Sequence, residues 1–389
     1  MHVEFLVKDP TEIYACMIQV HKMASGIEGI VRPRSATALV IAQAGAEPMA
    51  GMAVLPLVVL AAWPAPAASH LGPAASVVPV LRRGWNLGNT LDTELYNPGV
   101  NAPWVFDAVK RAGFDWVRIP VHWDPHTAAA APFAIDPAFM ATVRQSVEWA
   151  LKAGLVAMVN THHERWFDNS TSFDTQLPRF LSIWEQIADE FKDTPDMALV
   201  FELLNEPSEI TIKQLNAMNT AVLPVVRKSN PTRQVHFGGL AKMGTWWILQ
   251  NPDAIAIPAG DDHLALTVHS YNPWDFAGPG PKPDHIPTDH IFTADDEAKA
   301  RETMSQLAAW GERQLGGASK VVHDEFGCTT MQTNRTARLL YYKTYARAAE
   351  AAGVGWAVWD DDGWYRVLSR RGNHTWDTEV LAQLMPPGE

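Results

Sequence analysis

The sequence has only two cysteines, Cys16 and Cys328, among 389 residues. That count excludes a disulfide framework, and without a C-x-x-C pair it excludes the common thiolate metal sites. Positive charge is scarce too: 31 Lys and Arg stand against 43 Asp and Glu, a formal net charge of −12. A chain so acidic does not hold nucleic acid through phosphate contacts, and no run of like charge forms a binding tail. No G-x-G-x-x-G follows the first apolar run, which argues against a dinucleotide fold. What the chain has in quantity is tryptophan, sixteen in all, with 47% hydrophobic residues, enough for a sizeable core. The flat apolar face of tryptophan fills cores and also suits sugar rings.

Residues 1–80 read differently from the rest. From Met52, "MAVLPLVVLAAWPAPAAS" is an apolar stretch of signal-peptide length that runs into Ala65-Pro66-Ala67, a small-residue cleavage pattern at about 52–68. It is too short and too broken by proline to cross a membrane as a helix. The nearest upstream positive charges are Arg32 and Arg34. Three explanations stay open: a true start near Met49 or Met52, an unusually long leader, or an Ala/Pro-rich extension. Secretion is the expectation, with residues 1–80 outside the fold and 81–389 as one catalytic domain.

From residue 82 onward short apolar runs alternate with amphipathic helical patterns. The predicted strands fall at 84–91, 116–123, 155–163, 198–207, 233–239, 264–273, 320–327 and 353–361. The helix predicted over 136–154 starts at an Asp-Pro pair and ends at Gly154; the one over 334–353 starts at Asn334 and closes at Gly353. Eight strands alternating with helices over about 300 residues predict a single α/β domain, a (β/α)8 TIM barrel. A doubly wound sheet is the alternative.

Catalytic groups of such a barrel sit where the strands end and the βα loops begin. Seven of the eight predicted strands end in chemically capable residues: Asn89; Arg118 with His122; His162 and His163; Asn205 and Glu206; His269 and Tyr271; Glu325; and Trp359 with Asp360, Asp361 and Asp362. Strands four and seven face each other across a barrel mouth, so Glu206 and Glu325 can address one substrate bond. Two opposed carboxyl groups are what glycoside hydrolysis needs, one to protonate the leaving oxygen and one to attack or to activate water. Their pKa values must be split, and Arg118 and the Tyr271 hydroxyl are placed to keep Glu325 ionised. Asn205 can hold the sugar 2-hydroxyl.

Other readings accompany these residues. His162 and His163 are read as substrate hydrogen-bonding groups rather than metal ligands. Neighbours on a strand point to opposite faces, and the H-x-H of barrel metallohydrolases is missing from the first strand. Trp359 is read as a stacking platform. Trp123, Trp166 and Trp274 fit core or rim equally, and Asp360 to Asp362 read as a solvated loop rather than a cation site.

The motifs "GWNLGNTLD", "VRIPVHW", "NTHHE", "FELLNEP", "VHSYNPWDF", "HDEFG" and "AVWDD" occur in one order over residues 82 to about 385. In that order and spacing the chain resembles glycoside hydrolase family 5, the retaining β-glycanases that include many endo-β-1,4-glucanases and some β-mannanases. The resemblance implies Glu206 as acid/base and Glu325 as nucleophile. Arg118, His162, His163, Asn205, His269, Tyr271 and Trp359 fall on the family's remaining active-site positions, and Asn89 on a substrate-contacting one. It implies a covalent glycosyl intermediate, a carboxyl separation of about 5–5.5 Å, and no metal or organic cofactor. The expected partner is a β-linked polysaccharide, handled by a monomer with neither nucleic acid nor membrane involved. Endo-β-1,4-glucanase is the favoured activity; β-mannanase or mixed activity is the rival, and a non-catalytic glycan-binding protein the remote alternative. One departure stands out: the family commonly has Gly before the nucleophile, and this chain has Asp324. Strand alternation predicts that Asp324 points away from the site.

Overall fold

The computed structural model describes residues 78–93, 100–164, 166–278, 291–332 and 334–385. The leader expected at 52–68, and the rest of the N-terminal extension up to residue 77, lie outside the described residues. The eight apolar runs form eight parallel strands: β1 (Arg83–Asn86), β2 (Trp116–Ile119), β3 (Val156–Asn160), β4 (Leu199–Glu202), β5 (Val235–Gly238), β6 (Leu264–His269), β7 (Val321–Phe326) and β8 (Gly355–Val358). They pair in sequence order, and β8 closes on β1, which makes the predicted barrel. The strands are shorter than the runs that revealed them, because the polar tails of those runs belong to the βα loops.

Helices follow the strands: α1 (Pro103–Arg111), α2 (Pro137–Lys152), α3 (Phe173–Glu190), α4 (Ile212–Ser229), α5 (Thr245–Gln250), α6 (Ala294–Leu315), α7 (Arg335–Ala352) and α8 (Thr378–Leu384). The punctuation read from the sequence holds. The Asp136 carboxylate caps α2 by accepting from the Ala138 N–H, with Pro137 as the first residue. The Asn334 side chain does the same for α7 at Ala337, and α7 ends on Gly353 with φ +73°, a left-handed position that glycine adopts without strain.

Alternation along each strand sorts the side chains. Outward residues such as Trp85, Val117, Val159, Phe201, Leu266 and Val358 join the helices in one buried apolar layer. Inward residues form a second cluster inside the barrel, where Trp116, Met158, Val200, Val322 and Ala357 pack with Leu81. Gly84 makes room for it, since a Cβ there would come within 2.3 Å of the Trp116 ring. Two residues further along β1, β2, β3, β4 and β7 the inward positions are Asn86, Arg118, Asn160, Glu202 and Asp324, all fully buried. The barrel interior thus turns from apolar to ionic over two residues, at the end where the loops gather.

Candidate active site

Arg118 is the hub of this ionic layer. Its five N–H groups all have acceptors: Nε donates to Glu202 Oε2 (2.6 Å), Nη1 to Asn86 Oδ1 (3.1 Å) and Glu325 Oε1 (2.5 Å), and Nη2 to Glu202 Oε1 (2.8 Å) and Asn205 Oδ1 (2.7 Å). Asn205 is thereby oriented with its amide nitrogen as the remaining donor. Glu325 takes a second bond, from the Tyr271 hydroxyl to Oε2 at 3.0 Å. Glu206 stands on the facing loop, half-buried, with Oε1 3.1 Å from His269 Nδ1. Its φ of +48° is unusual for a side chain of this size and marks a constrained backbone. Carboxylate oxygens of Glu206 and Glu325 and a nitrogen of His269 lie within 4.8 Å of one another.

Asp324 does not point away. Val322 faces inward, so alternation carries Asp324 inward as well. One extra residue in β7 then brings Glu325 in beside it: His323 pairs with Trp356 but Phe326 with Val358, and the register against β6 slips at the same place. Asp324 therefore lies 3.2 Å from Arg118 Nε and 3.3 Å from His269 Nε2, fully buried.

These contacts set the titration of the site. Burial alone would raise Asp324, but the charges of Arg118 and His269 hold it down at about 2. His269 is pushed well above the ordinary histidine range: burial opposes the charged ring, and the Glu325 and Asp324 carboxylates beside it prevail. Burial also raises Glu206, but the bond to His269 and that ring's charge outweigh it and move Glu206 down. Glu325 goes up, chiefly through burial, against the pull of His269 and Arg118. Arg118 does pull Glu325 down, as expected from the sequence, but burial outweighs it, so in the free site Glu325 moves up and Glu206 down, the reverse of the split that their two roles require.

His162 and His163 lie beyond the end of β3, so strand alternation does not separate them. Their rings meet edge to face at 4.5 Å, and both lie near Asp92, with candidate ligand atoms within 4.8 Å of one another. Asn160 decides what His162 can do. Its Oδ1 accepts from the Val121 N–H (3.0 Å), so its Nδ2 donates to His162 Nδ1 (3.1 Å). The His162 hydrogen is then on Nε2, facing Asp92 Oδ2 at 3.8 Å, which makes that nitrogen a donor rather than a metal ligand. Burial lowers the His162 pKa well below the usual value, so the ring stays neutral. The Trp359 ring lies parallel to His162, 5.8 Å between centroids.

Asn89 is exposed on the loop after β1, and among the described residues no hydrogen bond joins it to either glutamate. The aromatic candidates divide: Trp123 is core, Trp166 is half-buried against Glu164, and Trp274 is exposed. The aspartates after β8 are not a solvated loop. All three are buried; Asp360 takes the Trp85 indole N–H and three backbone N–H groups, and Asp362 takes those of Arg370 and Arg371. Sequence reasoning missed Glu202, Asn86 and Asp92. For Glu202 and Asn86 the signal was the inward alternation from Val200 and Gly84.

A closed parallel barrel with two glutamates facing each other at its mouth defines the barrel glycoside hydrolases as the class. Residues 80–362 match the Cellulase family, glycosyl hydrolase family 5, and the chain belongs to it. It is 34% identical to Endoglucanase H of Acetivibrio thermocellus over 313 residues, 78% of this chain but 33% of that protein. It spans 40% of Cellulase/esterase CelE of the same organism at 31% identity, so it covers less than half the length of either relative. Among solved structures, Thermotoga maritima Cel5A superposes with a TM-score of 0.70 at 26% identity, covering 78% of this chain and 97% of that one; it has been determined with cellobiose and with mannotriose.

Proposed function

We propose that the chain is a retaining endo-β-1,4-glucanase that cuts internal bonds of soluble or amorphous β-glucans by double displacement. The observation that carries this reading is the approach of Glu206 and Glu325 to within 4.8 Å at their oxygens. An inverting pair stands roughly 6.5–9.5 Å apart to admit a water; a retaining pair is closer. Glu325, held by Arg118 and Tyr271, attacks the anomeric carbon as Glu206 protonates the departing oxygen. Water then attacks the glycosyl ester, and Glu206 takes its proton. Asn205 offers its amide N–H to the 2-hydroxyl, and Trp359 with His162 forms the floor beneath the sugar.

The endoglucanase relatives support a glucan substrate. A mixed glucanase/mannanase is the second reading, favoured by the fold match to a Thermotoga maritima enzyme seen with both cellobiose and mannotriose. Tightly rejecting one C2 epimer needs a hydrogen bond that the wrong sugar leaves unmade. The test is reducing-sugar release on carboxymethyl-cellulose and on galactomannan side by side, with the anomer of the first product followed by proton NMR. β-Anomer released from cellulose supports the proposal. α-Anomer would reject retention, and release from mannan alone would move the substrate to the rival.

A further inference from the structure

Asp324 raises a hydrogen-bonding question that Arg118 cannot answer. All five guanidinium N–H groups go to other oxygens, so Arg118 gives Asp324 charge but no hydrogen. Neither Asp324 oxygen has a well-formed hydrogen bond, and His269 Nε2, also buried, has none either. Besides that ring, the buried Thr267 hydroxyl is the other donor beside Asp324, and a buried carboxylate with too few donors is costly. Asp324 and His269 stand 3.3 Å apart and satisfy each other when Nε2 carries a proton. The other ring nitrogen, Nδ1, is 3.1 Å from Glu206 Oε1 and 3.6 Å from Glu325 Oε2.

We propose that Asp324 is a positioning residue: it accepts the Nε2–H of His269 and so dedicates Nδ1 to a line with Glu206 that stores the proton destined for the leaving-group oxygen. This rests on the acid/base role assigned to Glu206 above. The stored proton sits either on Nδ1, facing a carboxylate, or on Oε1, facing a neutral ring, and Glu206 can deliver it from both forms. In the first step the bond from anomeric carbon to leaving oxygen breaks, a Glu325 oxygen bonds to that carbon, and the leaving oxygen takes the proton from Glu206. If the proton started on Nδ1, His269 ends neutral and Glu206 ionised, and total charge is conserved. In the second step the proton of the attacking water returns to the same line.

The groups around the ring are Arg118 from β2, His162 after β3, Glu202 and Glu206 from β4 and its loop, Tyr271 after β6, and His323, Asp324 and Glu325 from β7. Three carboxylates contact it within 3.6 Å, and Asp324 is the one that touches Nε2. The ring's raised pKa agrees with that count. A glycine at 324 would leave Nε2 without this acceptor.

The test is nitrogen-15 NMR of the full chain with labelled histidines, the His269 signals being assigned by their loss in His269→Gln. In the wild type Nε2 stays protonated at every pH where the fold holds, and the ring titrates well above the ordinary histidine value. In Asp324→Asn the ring titration and the alkaline limb of kcat/KM fall together by about 1–3 pH units, the effect of one close carboxylate. Asp324→Gly additionally lets the Nδ1–H tautomer appear. A wild-type ring bearing its hydrogen on Nδ1 alone would overturn the proposal, even if neither variant folded. So would an Asp324→Asn protein whose ring titration and alkaline limb do not move. Lack of glycanase activity in the wild type would reject the function while the ring signals still decide the role of Asp324.

Discussion

Glu202 holds Arg118 by a two-pronged contact, Oε2 to Nε at 2.6 Å and Oε1 to Nη2 at 2.8 Å, with both side chains fully sealed from solvent. The remaining N–H groups are thereby aimed at Asn86, Glu325 and Asn205. Glu202 touches neither substrate nor the reacting atoms; it sets where the guanidinium stands. Glu202→Ala leaves part of a buried charge unpaired, which costs about 3–5 kcal/mol in a urea unfolding curve. Glu202→Gln keeps the volume and one acceptor, so it folds, yet kcat falls roughly tenfold or more while KM moves little. An unchanged kcat in the Gln variant would show that Asn86 and Glu325 alone suffice to orient Arg118.

The two catalytic glutamates separate by leaving group. Glu206→Gln removes the general acid, so turnover of unactivated β-glucan falls by about 10²–10⁴-fold. A dinitrophenyl glycoside departs without a proton, and its first step is affected far less. Glu325→Gln removes the nucleophile and abolishes both. Steady-state kcat/KM on the two substrates checks this, since kcat also carries the second step, in which Glu206 is the base; equal losses of kcat/KM in Glu206→Gln would exclude the acid role. Glucan affinity measured on either inactive variant persists, since the carboxylates are not the platform that binds the chain.

That platform depends on a close approach between the loops after β1 and β8. A Cβ on Gly88 would sit 2.7 Å from the Trp359 ring and 2.9 Å from the Asp360 carbonyl oxygen. Gly88→Ala therefore displaces the ring or parts the loops, and KM for soluble glucan rises. Trp359→Ala removes the face itself and costs about 1.5–3 kcal/mol of apolar contact, roughly ten- to a hundredfold in kcat/KM. Isothermal titration of cello-oligosaccharides into the two variants would measure the loss. Affinity equal to wild type in Trp359→Ala would move the stacking platform elsewhere, to exposed Trp274 or Trp364.

The barrel was legible because each strand announces itself by an apolar run and each helix by its punctuation, as at Asp136, Gly154, Asn334 and Gly353. The paired glutamates were legible because strand ends gather at one rim. Glu202 was not, because it sits inside a run whose neighbours are apolar, where a carboxylate reads as an interruption rather than as an inward layer. Asp324 was misread for a different reason: alternation applies only while the register holds, and one extra residue in β7 turns two consecutive side chains to the same face. The aspartates after β8 looked solvated since three carboxylates in a row ordinarily are. Arg370, which donates to the Gly88 and Asp360 carbonyls and to Thr90, and the backbone N–H groups around them make that loop a buried frame for the β1 loop.

Glu164 responds to pH with a sign opposite to that of an ordinary carboxylate. It is buried beside the site, accepting from the Trp123 backbone N–H at 2.9 Å and the Trp166 indole at 2.7 Å. Burial raises its pKa to about 7, and those two bonds pull it down only in part. In the unfolded chain a glutamate titrates near 4.5, so between about 4.5 and 7 the folded state holds a proton that the unfolded state has released. Unfolding therefore gains in that window: this group's contribution is greatest below about pH 4.5 and declines as pH rises toward 7, by up to about 3 kcal/mol. Glu164→Gln cannot ionise and loses that slope. Urea unfolding of both proteins at pH 5 and pH 8 isolates the difference, because every other titrating group is common to the two. The wild type should lose more stability than the variant on going to pH 8, and parallel behaviour would mean that Glu164 is already ionised in the folded protein at pH 5.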